Sequence, residues 1–468
     1  MNDVICFMNK ITHKMGNSRI LLVMPPDIAG AFSPHLGLGI LANCLDKNGY
    51  AVLVLDYSYL NSLKVPLPKI DKILDAFNPD VIGVSLFSQN LHLSQRFVEA
   101  MHKIRPLTPI VIGGPHVSLS PEKDLTDILA WPGVQTIVRG EADDAIENII
   151  AEVIKGTADK IIDCKPVELI NYKRPNFELF IGGNQLETYP MQLSRGCPYQ
   201  CVFCNIDKLA GRRFRKREIA DCIEETREAE SRYKKIKYIK VTDDAPNCLT
   251  PRFEDFLEQY TNQHFQTRLE VMQLRADHLT LKSCQLLKKA GQQFICIGVE
   301  SADPTILAGV TKGETLADIE RACHYVKSVD LPLVLCFVLG LPQATKEKDF
   351  VSIDFAKKVQ PVHCYWNIAQ PMPGTKMHDY FAARGQIYSE NTFQKSSLQG
   401  GCYADTHEYS RMDRLGMQVI AQATTNELTV STVINLLWRG TNYGVLYRVL
   451  QAMLSKRPAI QKGVPRRW

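Results

Sequence analysis

SRGCPYQCVFCNID, residues 194–207, sets Cys197, Cys201 and Cys204 at intervals of four and three, with a proline and two aromatics between them. Structural zinc takes four protein ligands from Cys or His, and this loop offers three thiols with no histidine beside them. A [4Fe–4S] cluster usually takes four thiolates, so one held by three keeps an iron open to an outside ligand. An open coordination site means chemistry at the metal. The residues alone leave two other readings: a zinc ion completed from elsewhere in the chain, and three loop cysteines without a metal.

Around this loop the chain alternates. TYPMQLSRG, KYIKVTDD, LEVMQLRAD, QFICIGVES, LVLCFVLGLP and HCYWNIAQPMPG read as strands with helices between them. Six strand–helix units over residues 187–385 predict a partial (β/α)6 barrel, whose chemistry belongs in the loops after each strand. The first such loop carries the cysteines. Upstream, over residues 1–165, RILLVMPP, YAVLVLDYS, DVIGVSLF, PIVIGGPH and TIVRGE alternate with amphipathic stretches. Fully apolar strands in that rhythm predict an α/β, doubly wound, Rossmann-like parallel sheet. Its ligand end lies at the turns near Pro25, Asp56, Phe87, Gly113, Gly114, Gly140 and Glu141. A polar connector is expected over about 165–186, and a small helical region over 386–468.

The bulk numbers agree with several domains. A chain of 468 residues exceeds what one core fills. A net charge of +5 from 55 basic and 50 acidic residues is too weak to argue for nucleic acid. The first residues lack the features of a secretory signal, and no apolar run is long enough to span a membrane. Fourteen cysteines without an export signal point to reduced thiols and a cytoplasmic location.

The cysteine pattern, with Phe203 before the last thiol, resembles that of the radical S-adenosylmethionine (SAM) enzymes. In that family the open iron chelates SAM, whose reductive cleavage gives a 5′-deoxyadenosyl radical. The resemblance extends through VTDDAPN (Asp243, Asp244), MQLRAD (Gln273, Arg275), IGVESADPTIL (Glu300, Ser301), GLP (Gly340 to Pro342) and QPMPGT (Gln370 to Thr375), which are similar to motifs of the family's cobalamin-associated branch. It implies that Gln273, Arg275, Glu300 and Ser301 contact the amino-acid and ribose groups of SAM, and that the Gly340–Pro342 turn lies near adenine. Carboxylates and amides suit an ammonium and hydroxyls, and Arg suits a carboxylate. A carboxylate or hydroxyl at a strand end can equally cap the following helix.

The N-terminal half resembles the cobalamin-binding domains of the same branch, through PHLGLGILANCLDKNGYAVLVLD, VIGVSLFSQN and VIGGPHVSLSPE followed by VRGEADDAIENII. Ser85, with Gly113 and Gly114 28 residues on, matches the hydroxyl and glycine pair that accommodate the cofactor's nucleotide tail. The methyltransferase-type motif DxHxxG is replaced by SPHLGLG, with Ser33 for the aspartate and Gly37 one residue early. His35 is the candidate cobalt ligand and His116 a candidate tail contact. A substrate-binding domain without cobalamin would show the same alternation.

With both cofactors, the resemblance implies hydrogen abstraction from an unactivated carbon, methyl delivery from methylcobalamin, and remethylation by a second SAM. Rearrangement, cyclisation or ring contraction are the alternatives within the branch. A non-catalytic cobalamin or iron–sulfur sensor is the alternative outside it. Expected partners are a small-molecule or lipid substrate and an electron donor such as flavodoxin or ferredoxin. INLLWRGTNYGVLYRVLQAML, with Arg439 and Arg448, and the basic SKRPAIQKGVPRRW suggest either a helix over the barrel mouth or peripheral membrane contact. Cys402 is a candidate extra ligand or hydrogen donor.

Overall fold

The structure, a computed structural model, describes residues 18–26, 31–372, 374–384, 386–387, 404–405 and 409–425. The chain forms two compact units, one reaching to Gly196 and resumed over Ile206–Val241, the other made of Cys197–Asn205 and the chain from Thr242 onward.

In the first unit six strands pair in parallel: β1 (Arg19–Met24), β2 (Ala51–Asp56), β3 (Val81–Ser85), β4 (Ile110–Gly113), β5 (Val134–Arg139) and β6 (Ile161–Asp163). Their order is β2-β1-β3-β4-β5-β6. Strands covered on both faces by helices need apolar side chains on both, and every residue of β2 is buried. The order reverses between β1 and β3, which opens a crevice at their carboxyl ends, where ligands bind in open α/β sheets. The three-residue edge strand β6 was not expected, because IID is too short to stand out from its polar surroundings.

The segment expected to be a polar connector is packed instead. Phe177 and Phe180 are fully buried. Phe177 meets Tyr189 with ring centroids 5.3 Å apart, and Gly39 is bare because a Cβ there would come within 2.9 Å of both Phe177 and Pro175. Charges at 165, 168, 173 and 174 mask these apolar anchors in the composition. β7 (Thr188–Met191) pairs in parallel with β10 (Tyr238–Val241), and β8 (Ser194–Arg195) in antiparallel with β9 (Arg215–Lys216).

The second unit holds β11 (Arg268–Val271) and a parallel sheet of β12 (Ile295–Glu300), β13 (Leu333–Leu339) and β14 (His363–Ile368). One face is apolar and covered: Phe337 stacks on Trp366 at 4.2 Å, and Trp366 Nε1 donates to Thr425 Oγ1 of the helix Arg411–Thr425. The other carries the half-buried Cys296, Gly298, Glu300, Cys336, Val338, His363, Tyr365 and Asn367. Cys402, Arg439, Arg448 and the basic C-terminal stretch lie outside the described residues. Among the described residues no helix is long and apolar enough to cross a membrane.

Candidate active site

Cys197, Cys201 and Cys204 lie half-buried in the second unit, on a loop held by its backbone and by one ring. Cys204 N–H closes a turn on Cys201 O at 3.1 Å. Val202 donates to Val310 O and accepts from Met377 N–H, and Thr311 Oγ1 donates to Gln200 O. Tyr199, which the sequence reading passed over, lies with its ring 3.3 Å from the Arg275 guanidinium, and its hydroxyl is 2.5 Å from His278 Nε2. Burial pushes the Tyr199 phenol up to about 12, so the hydroxyl keeps its proton. Burial likewise raises Cys197, and lifts Cys201 to about 11 against the opposing charges of Lys312 and Arg275. Iron must therefore displace protons from these thiols. No trio of His, Cys, Asp or Glu among the described residues is spaced for a single metal ion. Each thiolate of a four-iron cluster binds its own iron and stands farther from its fellows than ligands sharing one ion.

Arg275, expected on a SAM carboxylate, is engaged otherwise. Its Nε and Nη2 grip the two oxygens of Asp277 at 3.0 and 2.8 Å, and Nη2 also donates to Lys312 O. Asn247, in the VTDDAPN motif, clasps both backbone groups of Arg275. With Nε and Nη2 so engaged, the buried guanidinium is held in place against the Tyr199 ring. Ser301 is also committed: it is fully buried and its Oγ accepts from Asp303 N–H. Asp243 is buried as well.

Gln273 and Glu300 remain better placed. Both end strands in the left-handed region, φ 59° and 61°, which costs a non-glycine residue about 1–2 kcal/mol and concentrates at ligand sites. Gln273 is exposed, and Glu300 pairs with Lys312 Nζ at 3.2 Å. Lys312 also pairs with Glu314, and these carboxylates outweigh burial to keep it charged. Neither Lys312 nor Glu314 carried a sequence signal. The turn Gly340–Pro342 is fixed by Gly340 N–H donating to the buried Asp349, which also accepts from Tyr409. Asn205 Oδ1, beside Cys204, and Gln370 Nε2 are buried polar atoms without a partner among the described residues. Unspent buried polar atoms, one of them next in sequence to Cys204, fit a site built for a polar ligand.

In the first unit Ser85 and Gly113 stand opposite each other at the ends of β3 and β4. Gly114, φ 98° and ψ 178°, is required by the fold itself, since a Cβ would lie 2.7 Å from Leu86 N and Ser85 Oγ. At Gly113 a Cβ would meet nothing nearer than Val138 O at 3.6 Å. That open space fits a bulky group approaching the backbone. His116 Nδ1 is 2.9 Å from Ser88 Oγ, and burial lowers its pKa to about 4.

Two expected contacts are corrected. Glu141 is a brace: Arg215, Arg195 and Val167 N–H share its two oxygens, and although burial pushes its pKa up, these partners hold it below the usual range. His35 caps the helix Leu36–Lys47, with Nδ1 accepting from Leu38 N–H at 3.1 Å. Burial outweighs the pull of Asp56 and lowers its pKa. Its neutral tautomer then carries the proton on Nε2, leaving no lone pair there for cobalt.

Residues 29–150 match the B12 binding domain family and residues 191–353 the radical SAM superfamily. An uncharacterized methyltransferase of Pyrococcus horikoshii is 26% identical over 404 residues, 80% of this chain and 85% of its own. Hopanoid C-2 methylase of Rhodopseudomonas palustris is 25% identical over 418 residues, 83% of this chain and 71% of its own. In fold, the chain is similar to the radical SAM methyltransferase TsrM from Kitasatospora setae, with a TM-score of 0.67 and 15% identity, over 94% of this chain and 100% of that one. A B12-binding domain ahead of a radical SAM domain defines a class whose cofactors are cobalamin, a [4Fe–4S] cluster and SAM. The chain belongs to that family, the cobalamin-dependent radical SAM enzymes.

Proposed function

We propose that the protein is a carbon methyltransferase. The observation that carries this reading is the likeness, across both domains at once, to proteins called methyltransferases, joined to a loop that offers three thiols and no fourth ligand. When bound, the cluster and SAM supply a radical that takes hydrogen from carbon, and cobalamin supplies the methyl group.

The chain's own part is placement. Cys197, Cys201 and Cys204 hold the cluster, and Tyr199 and Arg275 fix their loop. Glu300, paired with Lys312 Nζ at 3.2 Å, suits the ammonium of SAM, and Gln273 and Gln370 supply amide groups. Phe203 and the Gly340–Pro342 turn offer an apolar edge and backbone to the adenine. Ser85 and Gly113 leave room for the cobalamin tail. The six strand–helix units are read as a partial barrel whose strand ends exclude water from the reacting carbon. A small-molecule or lipid substrate, a flavodoxin- or ferredoxin-like electron donor and a cytoplasmic location belong to the same reading.

The test is anaerobic reconstitution with iron, sulfide and hydroxocobalamin, then reduction with SAM. Formation of both 5′-deoxyadenosine and S-adenosylhomocysteine supports methyl transfer. 5′-Deoxyadenosine without S-adenosylhomocysteine points to the second reading, rearrangement or cyclisation, which one relative favours: anaerobic magnesium-protoporphyrin IX monomethyl ester cyclase of Cereibacter sphaeroides is 22% identical over 417 residues, 80% of this chain and 65% of its own. Neither product would leave a sensor.

A further inference from the structure

The half-buried face of the β12–β13–β14 sheet carries a feature that the proposed reaction does not use. Cys296 Sγ and Cys336 Sγ lie 3.2 Å apart. Neither position was singled out in the sequence, because 40 residues separate them.

The register explains how they meet. Cys336 stands in one row with Gly298 and Tyr365, and Cys296 in the next with Val334 and His363. Gly298 contributes no side chain, and a Cβ there would crowd Glu300 Oε1 at 2.6 Å and Lys312 Nζ at 3.0 Å. The sulfur pair therefore sits beside the Glu300–Lys312 ion pair. The hydrogen bond from Cys336 and the Lys312 ammonium both favour a thiolate at Cys296, and the Cys336 thiol retains its proton. The thiolate is the ligand form of cysteine, and Lys312 acts on Cys201 of the cluster loop as well.

We propose that Cys296 and Cys336 form a two-thiol site that takes a thiophilic ligand of the trivalent-arsenical class, bridged between the two sulfurs. A direct disulfide fits this register less well. The two sulfurs stand 3.2 Å apart, well beyond the ~2.05 Å of an S–S bond. One inserted atom leaves the strands where they are. With an arsenoxide the reaction balances without any change of oxidation state: two As–S bonds form, the As=O bond breaks, and the oxygen leaves as water with the Cys336 proton and one proton taken from solvent.

The test uses the reconstituted, cluster-bearing protein and one equivalent of phenylarsine oxide under anaerobic conditions, followed by trypsin and mass spectrometry. The tryptic peptides Ala290–Lys312 and Ser328–Lys346 each contain a single cysteine. The expected product is these two peptides joined through a phenylarsenic bridge, with the iron content unchanged. Cys336→Ser and, separately, Cys296→Ser should lose the bridged product and reduce bound arsenic to background. Arsenic recovered on the peptides of residues 197–204 with iron released, and absent from the pair, would overturn the proposal. The wild-type peptide map decides the matter even if a variant folds poorly, and it does not depend on methyl transfer.

Discussion

Removing the Tyr199 side chain should loosen the cluster while leaving all three cysteines in place. The ring lies 3.3 Å from a guanidinium that Asp277 fixes on two oxygens, and the hydroxyl lies 2.5 Å from His278. Arg275 is only 6% exposed, so the cation–π contact falls at the desolvated end of its range, about 1–2 kcal/mol. The hydroxyl bond adds ~1 kcal/mol net. Tyr199→Phe should therefore raise the open fraction of the loop about 5-fold, and Tyr199→Leu about 30- to 150-fold, at about 1.4 kcal/mol per tenfold. When iron leaves through the open loop, its transfer to a chelator under anaerobic conditions speeds up by the same factors. A double-mutant cycle with Arg275→Met isolates the ring–guanidinium contribution, expected at about 1–2 kcal/mol. If Tyr199→Leu, with an unchanged melting curve, releases iron within about twofold of wild type, the thiolate bonds alone hold the loop and the clamp is incidental.

Three further outcomes follow from single contacts. His35→Asn should keep the helix cap and leave the cob(II)alamin paramagnetic resonance spectrum unchanged, whereas His35→Ala should cost ~1 kcal/mol with the same spectrum; a nitrogen splitting that disappears in either variant would make His35 the cobalt ligand. Gly113→Ala, with nothing within 3.6 Å of the new methyl, should fold normally and retain less cobalamin after desalting, whereas Gly114→Ala forces backbone that only glycine adopts and should cost roughly 3 kcal/mol in denaturation. Burial lifts the Asp349 pKa from 3.8 to about 6 against the donors Tyr409 and Gly340 N–H. The native state then holds its proton longer than the unfolded chain, so stability is full below pH 3.8 and falls as pH rises to about 6. Between about pH 4.5 and about pH 7 the stability of wild type should drop by roughly 2 kcal/mol relative to Asp349→Asn, and a stability difference between the two proteins, read from urea midpoints, that is the same at both pH values would refute the assignment.

What the sequence revealed, and what it hid, divides along a physical line. Strands buried on both faces leave uninterrupted apolar runs, so β1 and β2 can be read directly from RILLVM and AVLVLD, whereas β12 and β14, with one half-buried face, show alternation. Three thiols in eight residues are legible because the loop must supply all its ligands locally. The residues that fix those ligands have no such constraint. Lys312 and Glu314 reach Arg275 from a segment nearly forty residues on, and Cys296 meets Cys336 only because two strands pair in one particular register.

The same distinction explains why several expected ligands became braces. Arg275, Ser301 and Glu141 are polar groups at or just past strand ends, and His35 stands in the loop of a cobalamin-type motif, where a cofactor would pass. A strand end is also where helix N–H groups and buried charges need partners, and a one-dimensional pattern cannot tell which demand a side chain meets. The structure separates the two by what is already satisfied. Glu141 has no acceptor capacity to spare beneath two arginines, and His35 has spent the nitrogen that decides its tautomer. Gln273 keeps its side chain exposed in strained backbone, Gly113 keeps open space, and Asn205 and Gln370 keep unsatisfied polar atoms. Unspent bonding capacity therefore marks the candidate cofactor-facing residues of each unit more securely than motif position does.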